Sequence, residues 1–397
     1  MRIKDSLGRF FLLHATWICG LHLLVTCILT IQILDRYASG GDEWQSGDWL
    51  INYSDGFTRR GLSGEVILLL ARLTGSNVLL VLTCFQLAII GIFLFNLNAI
   101  YQVFWHRLCN SNPRFYMFLL LSPSGLLFLL QNPNGNFRKE IIGLTLVVHM
   151  CRQQLSTKKL GFRSAITNLI FFTIAVLCWE PNLVTLPIFL IFRKRFNLEK
   201  LAYRVFLLLL SVISCVLFIF SFAFHGKSST SDKICNSLDV SSVLSPKICN
   251  GAIQAMSWDF TRFLEGATLS HPLRALGYGL LAGLALFPFR SILSKEKEVG
   301  RLMILQGMLI FSFNILAADT GRSIYSMFIT SLSVLIVFLN SSNQTISNRF
   351  YHWCKRTTRI KYLVTIFSYT FLWWLPFSGE SWRGFIPFQW VIDYITT

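Results

Sequence analysis

Ten charged side chains of this sequence lie in four short polar segments between long apolar runs, and their types could do chemistry. The four groups are Asp48, Asp55, Arg59 and Arg60; Arg138, Lys139 and Glu140; Glu180; and Asp319 with Arg322. Ionisable groups inside a membrane cost at least about 2.5–3.5 kcal/mol each, so they usually face a cavity, pair or act. Four groups on one side of a membrane could converge on one pocket. The alternative is that each is an ion pair that fixes helix ends.

Transfer of a sugar from a lipid-linked donor is the chemistry that suits such a pocket. The donor phosphate or pyrophosphate needs cations, and arginine gives bidentate contacts to phosphate. The candidates for phosphate binding are Arg59, Arg60, Arg138, Lys139 and Arg322, with Asp319 in a supporting role. The acceptor hydroxyl needs a general base, most simply a carboxylate. The candidates for that catalytic base are Asp48, Asp55, Glu140 and Glu180, and the sequence does not choose among them.

Sequence motifs for nucleotides and metals are absent from the chain. It contains no G-x-G-x-x-G, Walker loop, C-x-x-C or H-E-x-x-H pattern, so nothing indicates an energy-driven pump or a metal finger. We expect no cofactor. A Mg²⁺ or Mn²⁺ ion shared by two carboxylates and the donor phosphate would suit these residues, although no D-x-D motif requires it.

The elements that must position these side chains are membrane helices. Of the 397 residues, 53% are hydrophobic and 14% are charged, and the mean hydropathy is +0.55. Apolar runs of about 15–25 residues recur, which is the length that crosses the hydrocarbon core of a bilayer. We predict an all-α, multi-pass protein of the inner (plasma) membrane, with residues 1–397 as a single integral-membrane domain.

The apolar runs predict about eleven transmembrane helices. They cover residues 10–34, 77–104, 115–130, 140–152, 165–192 (two short helices that meet at Glu180), 204–225, 275–289, 302–318, 326–340 and 362–377. Residues 35–76 form an outer loop that includes a short helix, Glu65–Leu73, at the membrane surface. Residues 226–274 form a large outer loop.

The distribution of charge orients these helices. Segments predicted to be cytoplasmic hold 23 of the 36 Lys and Arg residues but only 4 of the 19 Asp and Glu residues. By the positive-inside rule, the N-terminus is cytoplasmic and the C-terminus is extracytoplasmic. The net charge of +17 is then a signal of topology, and we expect no nucleic acid. The expected partners are the lipid bilayer and a polyprenyl-linked sugar, and the sequence does not identify protein partners.

Two cysteines in the large outer loop support the same orientation. Cys235 and Cys249 lie in the near-repeat KICNS and KICNG. An oxidising compartment favours a disulfide there, and the 15-residue ring that it closes contributes about 3 kcal/mol in the chain-entropy model. The alternative is two free thiols in a flexible loop.

The first outer segment resembles a known enzyme class. The stretch ASGGDEWQSGDWLINY, followed by a short surface helix, is similar to the acidic first loop of the aminoarabinose and mannose transferases of the GT-C class of membrane glycosyltransferases. In those families an acidic residue of this loop is implicated in catalysis, and Asp42, Glu43 and Asp48 could match it. The short loops and outer arginines also resemble O-antigen polymerases of the Wzy type and lipopolysaccharide ligases. The resemblance implies a glycosyltransferase or polymerase of cell-surface polysaccharide assembly that uses a polyprenyl-(pyro)phosphate donor outside the cytoplasm.

Two other classes of function stay open. A transporter or flippase for a lipid-linked or anionic substrate should place charges near the middle of the bilayer and show repeat symmetry. A non-catalytic membrane scaffold should tolerate replacement of Asp48, Asp55 and Glu180 by amides. An enzyme should lose activity on at least one of those changes.

Overall fold

The computed structural model describes most, but not all, of the chain. The described residues are 20, 23–108, 138–155, 161–192, 200–223, 229–238, 244–257, 286, 289–316 and 320–341. Within this part the protein is all-α, and its only β feature is an isolated bridge between Ser54 and Gly56. The predicted helices at 115–130 and 362–377, and nearly all of 275–289, lie outside the described residues.

The described α-helices follow one another along the chain. They are α1 (23–38), α2 (Gln45–Leu50), α3 (Leu62–Thr74), α4 (Val78–Leu108), α5 (Glu140–Leu155), α6 (Phe162–Cys178), α7 (Leu186–Phe192), α8 (Lys200–Ala223), α9 (Thr230–Ser237), α10 (Arg290–Lys295), α11 (Lys297–Leu316) and α12 (Thr320–Ser341). Short 3₁₀ helices lie at Glu180–Thr185, Pro246–Cys249 and Gln254–Ser257.

Helix α5 lies at the centre of the described bundle. Helices α4, α6 and α12 all pack against it, and α7 packs against α11. Most of the α5 side chains are buried, including its first residue, Glu140. A Cβ on Gly143 would overlap Asn182 Oδ1, so the glycine allows the 3₁₀ helix Glu180–Thr185 to approach α5 closely. The bundle therefore brings the start of α5 and the segment after α6 together.

The α-helix is interrupted between α6 and α7, where the polar triplet Glu180-Pro181-Asn182 divides an apolar run. Helix α6 ends at Cys178, Trp179 is extended with φ −159°, and the 3₁₀ helix begins at Glu180. Pro181 has no N–H to continue an α-helical ladder, but it is tolerated in a first turn. The break leaves the Glu180 side chain at a helix end instead of inside an α-helix.

One described helix is long and apolar enough to cross a membrane. It covers Val78–Val103 with a mean hydropathy of 2.7, and shorter apolar stretches lie at Phe162–Cys178, Glu180–Phe192, Arg204–Leu217 and Ser326–Asn340. The number of eleven spans and their orientation stay predictions.

Helices extend further into polar sequence than the apolar runs indicate. The segment 290–301, predicted as a loop, contains α10 and the start of α11. Residues 320–325, predicted as part of a turn, form the first turns of α12. In 290–301, Lys, Arg and Glu are good helix formers, so helices form there beyond the apolar residues that hydropathy detects.

Candidate active site

The charged residues near the first outer segment lie at one end of the bundle, which we call the polar end. It comprises the described residues in 39–61, 138–140, 179–182 and 229–257. Helix α2 is its innermost element, with all six residues buried. Asp42 caps α2, because its Oδ1 accepts hydrogen bonds from the backbone N–H groups of Trp44 at 2.9 Å and Gln45 at 2.6 Å. Asp42 is one of the three acids that could match the acidic residue of the GT-C loop, and here it holds the start of α2.

Asp48 lies within α2 and is 96% buried, with 4% of its surface exposed. Its Oδ1 atom is buried and has no hydrogen-bond partner in the described part of the protein. A buried carboxylate oxygen without a partner is costly. Such a cost is tolerated where a ligand or a reaction uses the oxygen. The charge of Asp48 acts on Lys139 and Arg60 across the polar end.

Glu180 is held by two arginines from the first outer segment. Arg60 Nε donates to both carboxylate oxygens, at 2.9 and 2.8 Å, and its second terminal nitrogen donates to Oε1 at 2.8 Å. Arg59 is less close, with 3.6 Å between its terminal nitrogen and Glu180 Oε1. Burial alone would raise the pKa of Glu180, but the charges of Arg60 and Arg59 and the hydrogen bonds outweigh it and lower that pKa to about 2. The carboxylate is therefore ionised and already occupied.

The backbone of Arg60 is held in an unusual conformation. Its φ is +65°, in the left-handed region that non-glycine residues seldom adopt. Such a residue costs of order 1–3 kcal/mol and persists where neighbouring contacts fix it. Here Glu180 binds its side chain, and Lys139 Nζ donates to its carbonyl oxygen at 2.7 Å. This conformation turns Arg60 toward Glu180, a residue 120 positions later in the chain.

Lys139 is a fully buried cation just before α5. Burial lowers the pKa of its ammonium group, and the nearby positive charge of Arg60 acts in the same direction. The negative charges of Asp48 and Glu180 counteract that effect. Lys139 thus links the acid of α2 to the Arg60–Glu180 pair.

The structure brings most of the predicted site residues together, but not all. Asp48, Arg59, Arg60, Lys139, Glu140 and Glu180 interact with one another at the polar end, and we call them the ionic cluster. Arg138 lies beside it, with its guanidinium 5.5 Å from the centre of the Trp44 ring. Arg322 is in the first turns of α12, with its side chain outside the described atoms, and Asp319 is outside the described residues.

Asp55 binds a different element. Its Oδ2 accepts a hydrogen bond from Thr230 Oγ1 at 2.6 Å, and Lys233 forms an ion pair with it. Both partners are in α9, which sequence reasoning treated as part of a large loop. No local pattern marks this pairing, because the residues are 175 and 178 positions apart. The geometry therefore gives Asp55 a role in holding two segments together.

The segment that holds Asp55 is a compact cap, formed by the described residues in 229–257. A disulfide joins Cys235 to Cys249, the two cysteines singled out in the sequence. The cap also binds the chain before α2, where Ala252 N donates to Glu43 O at 2.9 Å. A Cβ on Gly47 would lie 2.7 Å from Ile248 O, so the cap packs closely against α2. The cap thus covers the helix that carries Asp48.

A second set of polar side chains lies in the other half of the bundle and was not predicted. Asn168 donates to Gln153 Oε1 at 2.9 Å, and Gln153 lies 2.8 Å from a ring nitrogen of His149. Arg152 donates to Asn96 Oδ1 at 3.2 Å. Polar residues on facing helical surfaces, Asn96 on α4 and Asn168 on α6, were the signal that could have revealed it.

Within the described residues, no group of three His, Cys, Asp or Glu side chains could hold a metal ion.

One family of proteins matches the chain. The family model is described as an uncharacterised membrane protein, Rv1490, and it matches residues 16–264, more than half of the sequence. The matched range includes the whole ionic cluster and the cap, and it ends before Asp319. No curated protein and no solved structure matches the chain.

Proposed function

The chain belongs to this family of membrane proteins, and we propose that its function is that of a multi-pass glycosyltransferase or polymerase of cell-surface polysaccharide assembly. It works on the extracytoplasmic face of the inner (plasma) membrane, and its donor is a sugar on polyprenyl phosphate or pyrophosphate. The observation that carries the proposal is the ionic cluster, in which the buried acid Asp48 shares one site with Arg59, Arg60 and Lys139.

The proposed reaction needs one base and a set of cations. The acceptor hydroxyl oxygen attacks the anomeric carbon of the sugar, and the bond from that carbon to the phosphate oxygen breaks. The hydroxyl proton passes to Asp48, while the bonding electron pair leaves on the phosphate. Arg59, Arg60 and Lys139 stabilise that added negative charge, as preorganised cations do in a site that excludes water.

Asp48 is the best of the four candidate bases. Glu180 is a poor base, because Arg60 occupies both of its oxygens and its pKa is about 2. Asp55 binds Thr230 and Lys233 instead of the ionic cluster. Glu140 is buried at the start of α5 and stays the second choice. Asp48 is a member of the cluster, and its Oδ1 is buried with no hydrogen-bond partner among the described residues.

The test is a turnover measurement on the protein held in nanodiscs. A panel of polyprenyl-phosphate sugars is supplied, and release of polyprenyl phosphate is followed by mass spectrometry. Removal of a general base costs about 10²–10⁴-fold in rate, so the turnover rate of Asp48→Asn should fall by that factor. Asp55→Asn, a change of the same size in a neighbouring carboxylate, should keep most of the activity.

If Asp48→Asn keeps the wild-type turnover rate, the result contradicts this assignment and favours a non-catalytic scaffold. The comparison needs folded protein, so each variant must elute as one species and retain the Cys235–Cys249 disulfide.

One observation favours transport as a second candidate function. The polar residues His149, Arg152, Gln153 and Asn168 lie along α5 and α6 in the half of the bundle away from the ionic cluster. Polar residues within membrane helices often mark substrate or ion pathways. If this is a lipid flippase, proteoliposomes should move a fluorescent polyprenyl-phosphate sugar between leaflets, and Asn168→Leu should stop that movement. Under the transferase proposal, the same variant keeps its sugar-transfer activity.

A further inference from the structure

A narrow cleft lies beside the ionic cluster and has two unlike walls. Its volume is about 20 Å³, and it is lined by Phe57, Arg59, Arg60, Val176, Leu177, Glu180 and Leu217. That volume accommodates about one water molecule, so the cleft cannot enclose a sugar. One wall is ionic and the other is apolar, which is the pattern that suits the junction between a charged headgroup and a hydrocarbon chain.

The apolar wall is formed where two helices meet. Val176 and Leu177 are in the last turn of α6, Leu217 is on α8, and these helices pack against each other. Leu177 continues into an apolar stripe on α6 at helical spacing, through Ile174 and Ile170, which are both exposed. We call these three residues the α6 stripe. It leads from the cleft along the outer surface of the bundle.

The ionic wall has more positive than negative charge. Arg59 and Arg60 face one carboxylate, Glu180, which binds Arg60 through both oxygens and lies farther from Arg59. A phosphate group carries up to two negative charges near neutral pH and binds guanidinium groups in the same bidentate way as a carboxylate. Arg59, whose terminal nitrogen lies 3.6 Å from Glu180 Oε1, is the arginine that we place against the phosphate.

We propose that a polyprenyl phosphate lipid binds across the mouth of this cleft, at the junction of its headgroup and chain. The phosphate binds Arg59 beside Glu180, and the first isoprene units lie against Leu217 and the α6 stripe. The lipid then reaches the ionic cluster sideways from the bilayer, between α6 and α8. The choice of lipid rests on the proposed function, whereas the cleft and its charge do not.

A lipid phosphate fits these walls better than a soluble one. A free phosphate ion would lose hydration next to Val176, Leu177 and Leu217 without apolar contacts in return. A polyprenyl chain is already in the bilayer, so it packs against the same residues by van der Waals contact and holds its phosphate beside the arginines. A neutral polyprenol would gain the apolar contacts but leave Arg59 without a new partner. The site should therefore require both parts of the ligand.

Direct binding to the full-length protein tests the proposal, with polyprenyl phosphate titrated into nanodiscs and read by native mass spectrometry. Leu217→Trp fills the cleft and should weaken the binding of polyprenyl phosphate by at least about tenfold. The larger side chain occupies the position of the headgroup and so displaces the lipid from its apolar contacts. Val216→Trp is the matched control, because Val216 is the adjacent residue and its side chain is exposed. It should stay within about twofold of the wild type.

A second variant leaves the apolar wall intact in case Leu217→Trp misfolds. Arg59→Gln should reduce the preference for polyprenyl phosphate over polyprenol of equal length from about tenfold to near parity. Equal binding of the two lipids by the wild type would overturn the proposal, and so would equal effects of the two tryptophan variants. Competition by inorganic phosphate at matched concentration would instead assign the arginines to a soluble anion and reject the lipid.

The outcome separates this proposal from the proposed function. Asp48→Asn should still bind polyprenyl phosphate as the wild type does, while losing sugar transfer. If Leu217→Trp binds the lipid and transfers sugar normally, the cleft is not the lipid site, but the assignment of Asp48 stands. If the lipid binds as expected but Asp48→Asn transfers sugar, the catalytic assignment fails alone.

Discussion

Glu180 and Arg60 form a multiply hydrogen-bonded ion pair at the polar end, and their geometry decides what each can do. Three hydrogen bonds between 2.8 and 2.9 Å occupy the carboxylate, so Glu180 acts as a counter-ion that holds Arg60 in place. A buried ion pair contributes less than its attraction suggests, because both groups lose hydration. Removal of one partner is nevertheless strongly destabilising, because it leaves the other charge buried.

This pair predicts a defined loss of stability in acid. The pKa of Glu180 falls from 4.5 to about 2 on folding, so its contribution is present above pH 4.5 and is lost as the pH falls toward 2. The interval corresponds to at most about 3 kcal/mol. The measurement is the thermal midpoint in detergent, followed by tryptophan fluorescence from pH 7 to 2.5. Glu180→Gln should start lower at neutral pH and lose less in acid, because it takes up no proton.

Parallel curves for the wild type and Glu180→Gln across that range would contradict the prediction. They would mean that the Arg60 pair forms in the unfolded chain as well, or that it does not form in the membrane protein at all.

Some of the site could be predicted from residue types and some could not. Charged turns between apolar runs indicated that Asp48, Lys139 and Glu180 could meet, because burial of isolated charges is expensive. The closer pairing of Glu180 with Arg60 than with Arg59 accompanies a left-handed backbone at Arg60 that arginine disfavours. The binding of Asp55 to Lys233 depends on a contact across 178 positions, and several outer cations were equally plausible partners.

At the scale of elements, the close approach of α5 to the segment after α6 positions Lys139 beside Glu180. The contact is made by Gly143, and Asn182 fills the space where a side chain would be. Asn182 is not free to move, since it is buried and its Nδ2 donates to Ala175 O at 2.8 Å. The basic residues on both flanks of 165–192 predicted two short helices that meet at Glu180, with one long kinked helix as the alternative. A glycine contact between distant elements has no local signal.

Gly143→Ala should therefore destabilise the protein. The added methyl group overlaps the Asn182 amide, and overpacking of this kind costs about 1–3 kcal/mol. Gly91→Ala on α4 is the matched control, because nothing lies within 4 Å of its Cβ position. That change should be neutral or stabilising by about 0.5–1 kcal/mol. The measurement is denaturant-induced unfolding in mixed micelles.

A double variant, Gly143→Ala with Asn182→Ala, distinguishes overlap from a loss of helix flexibility. It should lose less stability than the two single losses added together. Simple additivity, or equal effects of Gly143→Ala and Gly91→Ala, would show that the close contact does not limit packing.

At the scale of the whole molecule, the contacts of the polar end require that its parts share one side of the membrane. The segment that carries Asp55 binds α9, and the chain before α2 binds the cap at Ala252. Basic residues concentrate in the segments predicted for the opposite side, of which 290–301 is one. The structure therefore groups the outer segments, and the positive-inside rule orients the group.

Labelling of single cysteines tests this arrangement in intact cells. The parent variant lacks the free cysteines but keeps Cys235 and Cys249. Reporters at Ser54 and Lys247 sit on exposed positions of the polar end, and one at Lys295 sits on an exposed position of α10. A membrane-impermeant maleimide should label Ser54→Cys and Lys247→Cys in intact cells, and Lys295→Cys only after permeabilisation.

The two reporters at the polar end give the stricter test of this prediction. If both label from inside and Lys295→Cys labels from outside, the fold is retained but its orientation is reversed, and the donor must then be reached from the cytoplasm. If Ser54→Cys and Lys247→Cys label from opposite sides, the ion pair of Asp55 with Lys233 cannot form. The cap would then not cover α2, and Asp48 would lose the enclosure on which its proposed role as a general base depends.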